Sequence, residues 1–126
     1  MNEIDRVHVV MVEDDALVRE GLKDCMESAG YSVEALGSAE EFMALRSCRE
    51  PVCLIIDIQL PGISGLELQR RLVAEGDGTP IVFVTAHATD TNCEQALRNG
   101  AAAVLAKPIR REELLSAVRT AINRKV

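Results

Sequence analysis

The sequence predicts a doubly wound α/β domain built on a single five-stranded parallel sheet. Five short apolar runs, rich in β-branched residues, begin near Val7, Tyr31, Val52, Ile81 and Ala102, 21 to 29 residues apart. The intervals between them show helical spacing and helix punctuation, and each has room for a helix and two short loops. Strand–helix alternation implies parallel strands joined by right-handed crossovers, with helices on both faces. The run Val52-Cys53-Leu54-Ile55-Ile56 is apolar throughout, as a strand covered on both sides should be.

The elements follow in chain order. Val9-Val10-Met11-Val12 forms the first strand and ends on Glu13-Asp14-Asp15. The next stretch carries a stripe of Leu17, Gly21, Leu22, Cys25, Met26 and Ala29, and Gly30 is placed to stop that helix. Tyr31 to Leu36 alternates polar and apolar residues, which marks an edge strand. Ser38 with Glu41 and Ser64 with Glu67 read as capping boxes opening the second and third helices. The central run ends on Asp57. Gly76 and Gly100 stand where the third and fourth helices should stop. Ile81 to Val84 ends on Thr85, and Ala102 to Ala106 ends on Lys107. Leu114, Leu115, Val118 and Ile122 form the buried stripe of a last helix.

A chain of 126 residues fits one domain, residues 1–126, and is long enough to bury a real core. Its 48% hydrophobic and 27% charged residues are ordinary for a globular protein. With 2% aromatic residues, aliphatic side chains must fill that core. The net charge of −6 argues against direct nucleic-acid binding, which needs clustered Lys and Arg. Cys25, Cys48, Cys53 and Cys93 form no C-x-x-C pair, and no His stands at zinc-ligand spacing from them. They read as free thiols in a reducing compartment. Met1 to Arg6 is polar, without the apolar core of a signal peptide, and no run approaches the ~20 apolar residues of a membrane span. The expected location is the cytoplasm, with no membrane contact.

Acids, a hydroxyl and an amine thus recur at the carboxyl ends of four strands. In open sheets of this kind ligands bind there, where the strand order reverses. Glu13, Asp14, Asp57, Thr85 and Lys107 should therefore share one crevice. Three carboxylates at close range repel unless protons or a cation offset them. Oxygen ligands without His or Cys select Mg²⁺ or a similar hard ion. An ion, an ammonium and a hydroxyl around one carboxylate suit a phosphoryl group, with Asp57 on the central strand as nucleophile.

These residues carry a resemblance that spans about Val7 to Ile122. Val12-Glu13-Asp14-Asp15, the segment Leu54 to Gly65 with its D-x-x-x-P-x-x-x-G spacing, Val84-Thr85-Ala86 and Lys107-Pro108 together resemble the receiver domain of bacterial two-component response regulators. Gly37-Ser38-Ala39-Glu40-Glu41-Phe42 is similar to receivers of the nitrogen-fixation regulator and LuxR type. The resemblance implies a flavodoxin-like (βα)₅ fold with strand order 2-1-3-4-5. It implies a signalling switch rather than an enzyme, one that promotes only its own phosphorylation and dephosphorylation. Asp57 would accept a phosphoryl group from a sensor histidine kinase. Glu13, Asp14, Asp57 and the backbone carbonyl of Gln59 would hold Mg²⁺. Lys107 would contact the phosphate, and Thr85 would follow it inward and move the loop after the fourth strand. Lys107-Pro108 would be cis, Pro61 and Gly62 would shape the loop carrying Gln59, and Gln59 and His87 would tune phosphoryl lifetime. The output would run through the face of the fourth helix, fifth strand and fifth helix, around Val104. It would act on a partner, an output domain controlling transcription, or a second copy in a homodimer.

Two positions depart from the family pattern. Glu13 stands where Asp is usual, and Val104 stands where Tyr or Phe is usual, so a ring that swings between exposed and buried rotamers is absent. Val104 is instead expected to leave an apolar spot on that face. Two other readings use the same architecture. A small phosphatase or dehalogenase-like hydrolase would share the Asp57 nucleophile but needs a second acid two residues on, where Gln59 stands. A flavin or nucleotide module would need a phosphate cradle, and the chain has neither G-x-G-x-x-G nor a Walker loop.

Overall fold

The computed structural model describes residues 7–45 and 50–124, with Asp90 described by its backbone alone. Strands and helices alternate as β1 (His8–Val12), α1 (Ala16–Ser28), β2 (Ser32–Leu36), α2 (Ala39–Leu45), β3 (Cys53–Asp57), α3 (Gly65–Ala74), β4 (Ile81–Thr85), α4 (Asp90–Arg98), β5 (Ala103–Ala106) and α5 (Arg111–Arg124). All pairings are parallel and the sheet order is β2-β1-β3-β4-β5, as expected. The order reverses between β1 and β3, and β2 lies at an edge. Four of the strands begin one residue later than their apolar runs; β4 begins on Ile81 itself.

Alternation along the central strands sends side chains to two aliphatic layers. Val9, Met11, Cys53, Ile55, Val82 and Val84 pack with Leu22 and Met26 of α1 and Leu114, Val118 and Ala121 of α5. Val10, Val12, Leu54, Ile56 and Phe83 pack on the other face with Phe42, Leu68, Leu72 and Ala96. Gly30, Gly76 and Gly100 follow α1, α3 and α4 with φ of 98°, 76° and 102°, a region where glycine carries no Cβ penalty. Cys25 and Cys93 are half-buried and Cys53 is buried, all three as free thiols, and burial pushes the Cys53 thiol up to about 12. Cys48 and the polar N-terminal stretch lie outside the described residues.

Three local expectations need correction. Leu17 is 86% exposed, and Gly21 and Ala29 also face solvent. The Asp15 carboxylate caps α1 by accepting from the N–H groups of Leu17 and Val18. That start fixes a helical phase in which Val18, Leu22, Cys25 and Met26 face the sheet instead. The Ser64 cap is half a box. Its hydroxyl accepts from Glu67 N–H at 3.1 Å, but the Glu67 carboxylate turns to Arg70 and Arg71. Arginines one turn on outcompete a backbone N–H for that charge. At α2 the Ser38 hydroxyl accepts from Glu41 N–H, while Glu41 reaches back one residue further, to the N–H of Gly37.

Gly65 opens α3 directly under the end of β3. A Cβ there would lie 2.3 Å from the Asp57 carbonyl oxygen and 2.9 Å from Ile58 Cα, both backbone atoms. Any side chain must push the loop after Asp57 outward. Gly21 has nothing within 4 Å and sits inside an exposed helix. Gly65→Ala should cost about 1–3 kcal/mol by overpacking, whereas Gly21→Ala should gain about 0.5–1 kcal/mol by helix propensity. Urea unfolding of the two variants checks both signs.

Candidate functional site

The strand ends converge as expected. Glu13 and Asp14 follow β1, Asp57 and Thr85 are the last residues of β3 and β4, and Lys107 follows β5. Parallel register sets this alignment: Val12 pairs with Ile56, Asp57 with Val84 and Thr85 with Ala106. Glu13 and Thr85 are fully buried, Asp57 is 3% exposed, and Asp14 faces solvent.

Lys107 binds two of the acids at once. Its Nζ lies 2.8 Å from Glu13 Oε1 and 2.8 Å from Asp57 Oδ2. The other Asp57 oxygen, Oδ1, accepts the N–H of Gln59 at 2.8 Å, and Glu13 Oε2 accepts the N–H of Asp15 at 3.1 Å. Burial pushes the Glu13 carboxyl above its usual range. The Lys107 and Asp15 hydrogen bonds pull it part of the way back, and the Asp57 charge adds to the rise. Burial pulls the Lys107 ammonium down, but its bonds to Asp57 and Glu13 outweigh that and raise it overall. Oxygen atoms of Glu13, Asp14 and Asp57 all lie within 4.8 Å of one another. An open depression of about 650 Å³, lined by Asp14, Gln59, Pro61 and Asn92 among others, lies beside them.

Thr85 is linked to the site through Gln59. Its Oγ1 donates to Gln59 Oε1 at 2.6 Å and accepts the N–H of His87 at 3.0 Å. The His87 side chain is exposed. The Lys107–Pro108 peptide is cis, as the resemblance implies. Val104 is half-buried against the layer that holds Phe83 and Ala96, so it leaves little apolar surface. Leu97 of α4, 51% exposed, is the apolar side chain that stands out nearby.

Two further residues hold the site. Arg19 donates from Nη1 to the carbonyl of Glu13 at 2.8 Å and to that of Asp14 at 3.4 Å, which fixes the acidic loop from behind. Glu40 Oε2 accepts the N–H of Ile63 at 3.0 Å and ties α2 to the loop after Asp57. An arginine one turn into the helix after an acidic cluster is a weak local sign of the first. The second joins positions 23 residues apart and has no local sign.

The family model of the response regulator receiver domain matches residues 9–119. This chain belongs to that family. Response regulator protein TodT of Pseudomonas putida is 38% identical over 120 residues, which cover 94% of this chain and 53% of TodT. The solved structure of response regulator StyR is 40% identical, with a TM-score of 0.85 over 93% of this chain and 59% of that one. The FixJ-N crystal structure is 28% identical, with a TM-score of 0.85 over 100% of this chain and 98% of that one. The chain spans about half the length of the curated relatives it matches. Receiver domains of response regulators act with sensor histidine kinases in two-component signalling. No helix among the described residues is long and apolar enough to cross a membrane.

The raised Glu13 carboxyl gives this receiver domain a signed pH dependence. Below the ordinary value of 4.5 Glu13 is protonated in both folded and unfolded states and sets no slope. As pH rises, the unfolded chain releases the proton first, so stability falls until the folded value is passed. Metal-free Glu13→Gln should escape that fall. Its stability relative to wild type should increase from acid to neutral pH, measured by urea unfolding in the presence of a chelator. Parallel profiles for the two proteins would contradict the assignment.

Proposed function

We propose that this receiver domain accepts a phosphoryl group on Asp57 from a sensor histidine kinase, with Mg²⁺ held by Glu13, Asp14, Asp57 and the backbone carbonyl of Gln59. One observation carries the reading: a nearly buried aspartate at the end of the central strand shares a lysine with one acid and stands beside another. The donor set fits a hard cation. Three carboxylates face one ammonium, all the side-chain donors are oxygens, and Asp14 is open to solvent. Bound there, Mg²⁺ would neutralise charge on the phosphoryl oxygens.

The protein groups divide the remaining work. An Asp57 carboxylate oxygen attacks the phosphorus of a phosphohistidine. An O–P bond forms, the P–N bond breaks, and its electron pair stays on the ring nitrogen; a proton carried by the other ring nitrogen lets the imidazole leave neutral. The N–H of Gln59 holds one Asp57 oxygen, so the carboxylate is oriented before the donor arrives. Lys107 already touches Asp57 and would reach the phosphoryl oxygens carried there. Attack of water on phosphorus later restores the carboxylate and releases inorganic phosphate. A hydrolase acting on external esters needs an acid at position 59, and there the Gln59 amide accepts a bond from Thr85 instead.

The state of Asp57 would then bias the face of α4, β5 and α5, and through it a partner, a second copy or an output domain acting on transcription. Relatives about twice as long support an output beyond this domain. The exposed Leu97 supports a contact on that face. The net charge of −6 leaves nucleic-acid binding to another domain. Three free thiols support a reducing cytoplasm.

Incubation with Mg²⁺ and a small phosphodonor should add one hydroxylamine-labile phosphoryl group, read by mass spectrometry. Asp57→Asn should take none, and a modification surviving that change would sink the proposal. Asp14→Asn should weaken Mg²⁺ binding by about tenfold or more, measured by calorimetry. Sizing with and without a phosphoryl mimic tests the dimer, and a monomer in both conditions counts against it.

A further inference from the structure

The hydroxyl of Thr85 has one hydrogen, and in this structure it is already committed. It donates to Gln59 Oε1 at 2.6 Å, a short and well-made bond, while the oxygen accepts from His87 N–H. Thr85 is fully buried, so solvent offers its hydroxyl no alternative partner. Gln59 is exposed, and its backbone N–H is fixed on Asp57 Oδ1. One residue therefore grips the nucleophile with its main chain and the hydroxyl with its side chain.

We propose that the Gln59 side chain is a latch that withholds the Thr85 hydroxyl from the phosphoryl group. The inference rests on the phosphoacceptor reading above. For Thr85 to donate to an oxygen on phosphorylated Asp57, the bond to Gln59 must break, because the same hydrogen cannot serve both acceptors. The unphosphorylated state gains a bond that the phosphorylated state has to give up. A ligand shifts a two-state equilibrium only by its differential affinity, and this bond subtracts from that difference. His87 is carried along, since its N–H follows the same oxygen and opens the segment that leads into α4. Gln59 is in this sense a positioning residue that acts through Thr85.

A substitution that keeps the shape but removes the acceptor separates this role from packing. Gln59→Met has a similar length and no acceptor oxygen. The phosphoryl analogue beryllofluoride, added with Mg²⁺, is the probe, with binding read by calorimetry. Gln59→Met should bind it about fivefold more tightly than wild type, the factor carried by one net hydrogen bond. The gain should persist in a Thr85→Ser background, where the hydroxyl remains, and vanish in a Thr85→Ala background, where it does not. Equal affinity of wild type and Gln59→Met, or a gain that survives Thr85→Ala, overturns the latch. If wild type and every variant fail to bind beryllofluoride, the phosphoacceptor reading itself fails and the latch falls with it.

Discussion

Lys107 holds two acids that would otherwise not tolerate one another. Glu13 and Asp57 are both buried, Asp14 stands beside them, and the ammonium lies 2.8 Å from each of the buried pair. Two like charges about 4 Å apart cost on the order of 4 kcal/mol at the effective dielectric of a partly buried site. The lysine offsets that repulsion, and it does so only because β1, β3 and β5 end at the same level of the sheet. The register of Val12 with Ile56 and of Thr85 with Ala106 is thus an electrostatic requirement as well as a packing one. Three carboxylates against one ammonium still leave an excess of negative charge. Burial is the main cause of the upward shift of Glu13 and the Asp57 charge adds to it, and on the proposed reading a bound cation would offset the excess.

The loop after Asp57 is held from several directions. Gly65 N–H bonds the carbonyl of Ile58, and the missing Cβ lets α3 press against the Asp57 carbonyl. Glu40 takes the N–H of Ile63 from the side of α2. Gln59 bonds Asp57 through its main chain and Thr85 through its side chain. As the proposed nucleophile, an Asp57 fixed this way would need little reorganisation when its reaction partner arrives. The segment Gly37 to Phe42 contributes at each step: Ser38 and Glu41 secure the start of α2, Phe42 anchors it in the core, and Glu40 is left pointing at the loop.

What the sequence makes legible is what local chemistry decides. Apolar runs, helix-stopping glycines and the D-x-x-x-P-x-x-x-G spacing specify ten elements and their strand ends, because each depends on a few neighbouring residues. The strand-end rule then brings Glu13, Asp14, Asp57 and Lys107 together without knowledge of a single distance. Leu17 fails for an equally local reason. Leu17 and Val18 offer almost the same periodicity, and the choice between them depends on where Asp15 starts the helix. Arg19, Glu40 and the Thr85–Gln59 bond lie beyond such reasoning. Their partners are main-chain or side-chain atoms of loops whose course no periodicity describes.

The same physics bears on how the site communicates with its outer face. Val104 is β-branched, half-buried and packed against the layer of Phe83 and Ala96, so it has one preferred χ1 and little room to change it. A side chain of that kind does not carry a two-state signal by rotation. The main chain is better placed. Lys107 N–H bonds the Thr85 carbonyl at 2.8 Å, which joins the residue that touches Asp57 to the residue held by Gln59. Thr85 in turn leads through His87 to Thr89, whose hydroxyl caps α4. Release of Thr85 from Gln59, as proposed, would therefore act on a continuous run of backbone from β4 to the cap of α4, with β5 bonded alongside. On the proposed reading, movement of that run and of α4 would take the place of a rotating aromatic ring as the physical link between site and surface.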